Sequence, residues 1–507
     1  MSVSGHEVLT PGDVSHIRNS GRDPAQVAAQ LAVLRGARIS VPILRPATIG
    51  DGVQRIDPYD SDALLRRHQE ACAQGRISSF VPASGSGTRL FHSLLHLYRN
   101  RESRIERVRE LASSGDELAR DALAVLENIT EFAFWPELGQ RGCMPDSLEQ
   151  VLHLLFGELR YQDVPKGLIP FHQYDAGIRT AFAEHLYEAA ALGTDRDGNC
   201  RIHFTVGGDH QSHFEDQLRR ETATIEQLLN VRLHVDFSTQ SSETDTIATD
   251  LGGRIRRDAD GEIAFHAGGH GALLRNLSRC GGDIVLIKNI DNVAHRKLLG
   301  EITYLRRQIS GMLLRVERQV HQAIRELRDG RPPDEALRLL AVEFGVQSLE
   351  ALVDDEARRR YAVSQLNRPI RVCGVVRTTG HAGGRPFWTD TKGRGPCLQI
   401  IEGAEVDLDD PEEKALFQQS GHFNPVDIAC SLRDVDGEPF DLSSFAVPER
   451  AIVARKVISG VPSLVYEHPG LWNGGMGLWN TVFVEIPEVG FNPVKSISDL
   501  LSAGHRR

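Results

Sequence analysis

Two lysines, an arginine, an aspartate and two glycine-rich turns are the residues whose types and spacing could do chemistry in this chain. The run Ala83-Ser84-Gly85-Ser86-Gly87-Thr88-Arg89-Leu90 sets small residues between a short β-like stretch and a helix start. Such a turn lets backbone N–H groups approach phosphate oxygens, and the field of a helix N-terminus favours an anion there. Arg89 is placed to meet a phosphate through a charge-assisted hydrogen bond. The run is neither G-x-x-x-x-G-K-[ST] nor G-x-G-x-x-G, and a tight strand-to-helix turn explains it equally well. Lys166 stands in Val164-Pro165-Lys166-Gly167, where the adjacent proline restricts the backbone and suits a point charge aimed at a phosphate. Lys495 follows Pro493 in the segment Gly490 to Leu501. Taken singly, the first lysine is a surface turn and the second lies beside a C-terminal helix cap.

The stretch Gly268-Gly269-His270-Gly271 has three glycines in four positions, enough to admit a flat ring or a ribose close to the backbone. A flexible loop accounts for it when read alone. The run from Asp283 to Asn292 is an apolar strand, Ile284 to Ile287, followed by Asn289 and Asp291. Open α/β sheets place their chemistry at such strand ends. Asp291 would offer a hard oxygen to a magnesium ion bound by a triphosphate; as a lone feature it is a helix cap.

Bulk properties narrow the classes. The formal net charge is -11 over 507 residues. That argues against a general nucleic-acid binder or an anionic-membrane binder, though not against a small anionic substrate. Hydrophobic residues make up 40%, enough to bury a sizeable core. The seven cysteines (Cys72, Cys143, Cys200, Cys280, Cys373, Cys397 and Cys430) contain no C-x-x-C pair, which suits free thiols in a reducing compartment. The start MSVSGHEVLT lacks a basic region followed by an apolar run, so no leader is expected. The strongest apolar stretch is far too short to span a bilayer. A cytoplasmic location is expected.

The elements that must position these groups follow from periodicity. Residues 1–75 read as an N-terminal helical layer, and 76–507 as a catalytic domain with helical insertions at about 92–162 and 296–366. Strand-like runs at 201–208, 231–239 and 283–291 alternate with helical stretches, and β character returns after Pro369. Such alternation predicts an α/β domain with a mostly parallel sheet.

In order along the chain, these segments resemble the UDP-sugar pyrophosphorylase family, notably the UTP–glucose-1-phosphate uridylyltransferases. The matching islands are Gly85-Ser86-Gly87-Thr88, Pro165-Lys166, Gly269-His270-Gly271, Asn289-Ile290-Asp291-Asn292 and Phe491 to Leu501. Glu402 in the stretch Leu398–Val406, and Asn424 with Asp427 in His422–Ile428, echo two weaker family segments. The whole chain also resembles an uncharacterised bacterial domain-of-unknown-function family. The pyrophosphorylase resemblance implies a GT-A type nucleotidyltransferase with a Rossmann-like sheet. By it, Ser84 to Arg89 hold the triphosphate of a nucleoside triphosphate, with Lys166 and Lys495 neutralising the α-phosphate and the acceptor phosphate. Gly268 to Gly271 and Asn289 lie against the nucleoside, Glu402 and Asn424 meet the acceptor, and Asp291 with Asp427 holds Mg²⁺. Two departures stand out: a helical insertion separates Arg89 from Lys166, and Asp427 replaces a family asparagine. A GT-A glycosyltransferase and a non-catalytic nucleotide sensor are the competing readings. Asp258-Ala259-Asp260 is a formal D-x-D match for the former, but it sits in a polar turn.

Overall fold

A computed structural model of the chain describes residues 8–36, 41–346, 354–378, 383–391 and 395–506. Residues 1–7, part of the stretch read for a leader, lie outside the described residues, as do 347–353 within the second helical insertion. The chain divides into two units. Unit 1 comprises 1–68, 240–286 and 308–486; unit 2 comprises 69–239, 287–307 and 487–507.

Unit 2 contains three parallel strands in the order Ile77–Pro82, Asn199–Val206, Arg232–Thr239. The middle strand alternates aliphatic and aromatic residues with polar ones, and Cys200, Ile202, Phe204 and Val206 turn inward. Helix Ala181–Gly193 packs on these strands and is buried around nearly its whole circumference. The expected first insertion is a run of short helices from His92 to Glu158. Its Phe91, Phe134, Phe156 and Tyr161 rings meet in one core with Phe182, Phe204 and Phe214. A hairpin, Pro170–Tyr174 with Gly177–Thr180, follows the lysine turn.

Unit 1 contains a mixed set of strands. Gly52–Gln54, Asn480–Glu485 and Ile370–Arg377 run parallel to their neighbours, while Asp427–Ser431 pairs antiparallel with Ile370–Arg377. Two antiparallel sheets accompany them, one built on Arg385–Thr391 with Gly395–Ile401, the other on Ile452–Ile458 with Val461–Glu467. The architecture is thus mixed α/β: the three strands named in unit 2 pair in parallel, while unit 1 combines parallel pairs with antiparallel ones. Residues 1–75 differ from the helical expectation. Besides helices Pro11–Asn19, Pro24–Leu34 and Ser61–Ala73 they carry strands Ile43–Pro46, Thr48–Ile49 and Gly52–Gln54. Those strands are too short to show a period; Ile43–Pro46 and Gly52–Gln54 pair with strands hundreds of positions away, and Thr48–Ile49 pairs with Gly52–Gln54. None of the seven cysteines forms a disulfide bond, and among the described residues no helix is long and apolar enough to cross a membrane.

Candidate active site

The residues of the expected phosphate site in unit 2 come together across the helical insertion: the Lys166 N–H donates to the Gly85 carbonyl at 2.9 Å.

 

The Gly87 N–H donates back to the Val164 carbonyl, and the Thr88 hydroxyl donates to the Gln162 carbonyl, both at 2.9 Å. Gly87 is glycine because of this closure: a Cβ there would lie 2.5 Å from the Tyr161 carbonyl oxygen. Gly85 faces open space, and Ser84, Ser86 and Arg89 are exposed. The open side of the turn is therefore at 84–86, with Gly87 spent on the fold.

Lys166 begins a 3-10 turn, Lys166–Leu168, and its side chain is buried. Its ammonium donates to Asp291 Oδ2 at 2.9 Å, and Lys495 donates to the same oxygen at 2.9 Å. The backbone around Asp291 is pinned within the same unit. The Ile290 N–H donates to the Pro82 carbonyl, and the Val494 N–H donates to the Asp291 carbonyl. The Asn492 N–H donates to the Asn292 side chain. Ser496 and Asp499 form a capping box that fixes the chain just after Lys495.

Burial pushes the Lys166 ammonium below its usual range; Asp291 opposes this, while Lys495 and Arg89 reinforce it. Burial also works against the charge of Asp291, but the two ammonium groups outweigh it and hold that carboxyl below its usual range. Two ammonium groups thus share one carboxylate, and Arg89 acts on Lys166 as well, an excess of positive charge suited to an anion. Lys166 and Asp291 are buried, whereas the Lys495 side chain is 62% exposed. Asp291 Oδ1 is buried and accepts no hydrogen bond among the described residues. One hard oxygen is therefore available to a divalent cation, and among the described residues no group of three or more His, Cys, Asp or Glu side chains could hold one alone. That donor set fits magnesium, which takes few protein carboxylates and completes its shell with water and phosphate oxygens. Asn289 lies half-buried just after the strand, and its carbonyl accepts from the Asn292 N–H.

The other expected residues lie in unit 1. The glycines of the Gly-His-Gly loop are demanded by the chain's own packing. A Cβ on Gly268 would lie 2.5 Å from the Thr244 carbonyl oxygen, and one on Gly271 would lie 2.2 Å from that of Pro469. The His270 ring stacks on Trp472 with centroids 4.4 Å apart, and its Nδ1 accepts from the Leu471 N–H. Trp472 Nε1 donates to Glu402 at 3.1 Å, so the loop and Glu402 share one indole. Trp472 was not singled out in the sequence; its signal is a lone tryptophan within the glycine-rich run Gly470–Gly475. The Asn424 side chain donates to the Gly374 carbonyl and accepts from the Val426 N–H, holding a turn in which Val426 has φ of +62°. Asp427 is buried at the start of its strand. Asp258 accepts from the backbone of Asp260 and Glu262, which makes the D-x-D match a self-capped turn.

A family model described as a domain of unknown function, DUF4301, matches residues 10–506. No curated protein matches the chain. Among solved structures, a mutant UDP-glucose pyrophosphorylase from Leishmania major with UDP-glucose is similar at 12% identity and a TM-score of 0.46, covering 99% of this chain and 79% of that one. A UDP-N-acetylglucosamine pyrophosphorylase from Trypanosoma brucei with an inhibitor is similar at 15% identity and a TM-score of 0.44, covering 96% and 80%.

Proposed function

We propose that this chain, which belongs to the DUF4301 family, is a nucleotidyltransferase that moves a nucleotidyl group from a nucleoside triphosphate to a sugar 1-phosphate or related phosphorylated acceptor. The observation that carries the reading is the convergence of Lys166 and Lys495 on one oxygen of Asp291, with Arg89 and the open glycine turn in the same unit.

An acceptor phosphate oxygen forms a bond to the α-phosphorus as the bond from that phosphorus to the leaving pyrophosphate oxygen breaks. The acceptor is already an anion, so no base or covalent nucleophile is needed. What the reaction needs is alignment and neutralisation of charge. Lys166, fixed and buried, stabilises charge gathering around the α-phosphorus. Lys495, on the open side, meets the acceptor phosphate. Arg89 and the backbone of Ser84 to Ser86 hold the departing phosphates. Without substrate, Asp291 holds both ammonium groups in place. A magnesium ion held by Asp291 Oδ1 would supply further neutralisation of the triphosphate.

The motif resemblance extends the reading: uridylyl as the transferred group, a GT-A type fold, a cytoplasmic location, and roles for Gly268–Gly271, Glu402, Asn424 and Asp427 at the nucleoside, acceptor and metal. The test is a panel of four nucleoside triphosphates against several sugar 1-phosphates, read by pyrophosphate release. Pyrophosphate from a UTP reaction supports it. Consumption of a nucleotide sugar, with no triphosphate turned over, transfers the assignment to a glycosyltransferase.

A further inference from the structure

Helix Ala181–Gly193 turns two titratable side chains, His185 and Glu188, toward the residues that lead into Asp291. They stand three apart and so share one helix face. His185 Nε2 lies 3.2 Å from the carbonyl oxygen of Ile290, the residue before Asp291. Glu188 accepts from Lys288 Nζ at 2.8 and 2.9 Å and from Arg306 at 2.6 Å. Lys288 is the last residue of the strand that delivers Asp291. Neither side chain touches the expected substrate groups, and both are buried.

We infer that His185 and Glu188 are positioning residues for Asp291, and that this clamp sets where its carboxylate meets Lys166 and Lys495. The inference rests on the proposed reading of that site. Burial pushes His185 down to about 4, with Lys288 and Arg306 adding to this and Glu188 opposing it. It is therefore a neutral imidazole at pH 7, with one N–H to give. Among the described residues the acceptor at Nε2 is the Ile290 carbonyl, so the proton sits there. Glu188 fixes the strand end two ways, through the lysine ahead of Asp291 and through Arg306, which also reaches the Ile287 carbonyl. One helix thereby holds the backbone on the near side of Asp291, and the Val494 N–H holds its own carbonyl. The Asp291 backbone has little freedom left, so its carboxylate can move only by side-chain rotation.

Two substitutions separate positioning from mere filling. His185→Gln carries an N–H donor to nearly the place of Nε2; His185→Leu fills the space without a donor. The leucine variant is expected to lose about 10-fold or more in kcat with little change in KM, and the glutamine variant to recover most of it. A second readout needs no turnover: acylation of the Lys166 amine against pH, followed by peptide mass spectrometry. Asp291 opposes the burial that lowers the Lys166 pKa, so a displaced carboxylate moves the labelling midpoint to lower pH. Asp291→Asn marks the full shift. Should the leucine variant not fold, His185→Asn, too short to reach the carbonyl, replaces it. A shifted midpoint in the donor-free variant and a normal one in His185→Gln support the clamp, even if no transferase activity is found. A folded donor-free variant with the wild-type midpoint overturns it. Loss of activity in the wild-type panel, with the midpoint shift intact, removes the proposed reaction and leaves the clamp standing.

Discussion

Unit 2 builds the same motif twice, a carboxylate held between two cations, and the two copies differ in what they leave unused. Around Glu188, both carboxylate oxygens are taken, and the Lys288, Glu188 and Arg306 side chains are 2, 6 and 4% exposed. Around Asp291, both lysines share Oδ2, Oδ1 has no hydrogen-bond partner among the described residues, and Lys495 reaches solvent. Burying charges costs several kcal/mol per ion unless every group is paired. The closed copy meets that condition and can only hold structure. The open copy keeps a spare oxygen and an exposed ammonium, which is of use only if something else binds there.

The largest expected effect breaks the closed copy. Glu188→Gln leaves two buried cations without a counter-charge and should cost about 3–5 kcal/mol in urea unfolding. A loss below 1 kcal/mol would place this cluster among the merely tolerated ones. Asp291→Asn should do the reverse. It should reduce kcat by roughly 10²-fold or more while changing the urea midpoint far less than Glu188→Gln does. Equal destabilisation by the two would erase the distinction drawn between them. Lys166→Ala should also lower kcat by roughly 10²-fold, with nucleotide binding affected less; wild-type turnover would take Lys166 out of the mechanism.

Acid sharpens the comparison by a smaller step. Burial pushes His185 and His295 down to about 4 and His505 to about 3, from an ordinary 6.5. The unfolded chain then binds more protons than the folded one between these values. The stability from these histidines is complete above pH 6.5 and is lost as the pH falls toward 4 and 3, by at most ~1.4 kcal/mol per pH unit for each. Glu188, held at about 2 by Lys288 and Arg306 against its burial, stays charged through that window. Unfolding free energies at pH 7, 5.5 and 4.5 check this. A flat profile would mean that those imidazoles are not buried and neutral.

Much of this was legible in the chain. The apolar run ending at Asp291 announced its strand, and the glycine turn announced a strand-to-helix passage, because both depend on local residue types. The closeness of Lys166 to Gly85 was not, because it depends on the closure of the whole helical insertion on Tyr161 and Val164. Nor was the pairing of Lys495 with Asp291, set by backbone bonds between segments about two hundred positions apart. Nothing near Glu188 in the sequence marks its role, because its cations come from a strand and another helix. Trp472 had only its glycine neighbours to mark it.

The central claim is that the open copy is a phosphate-handling site, and Lys495 tests it most directly because it is exposed and its loss should leave the fold intact. Initial rates of pyrophosphate release should be measured for wild type and Lys495→Ala, at saturating triphosphate and sugar 1-phosphate and at matched thermal midpoints. The account predicts turnover by the wild type and a roughly 10²-fold lower kcat in the variant. Release of pyrophosphate at the wild-type rate by Lys495→Ala, or by neither protein with any triphosphate, would contradict it.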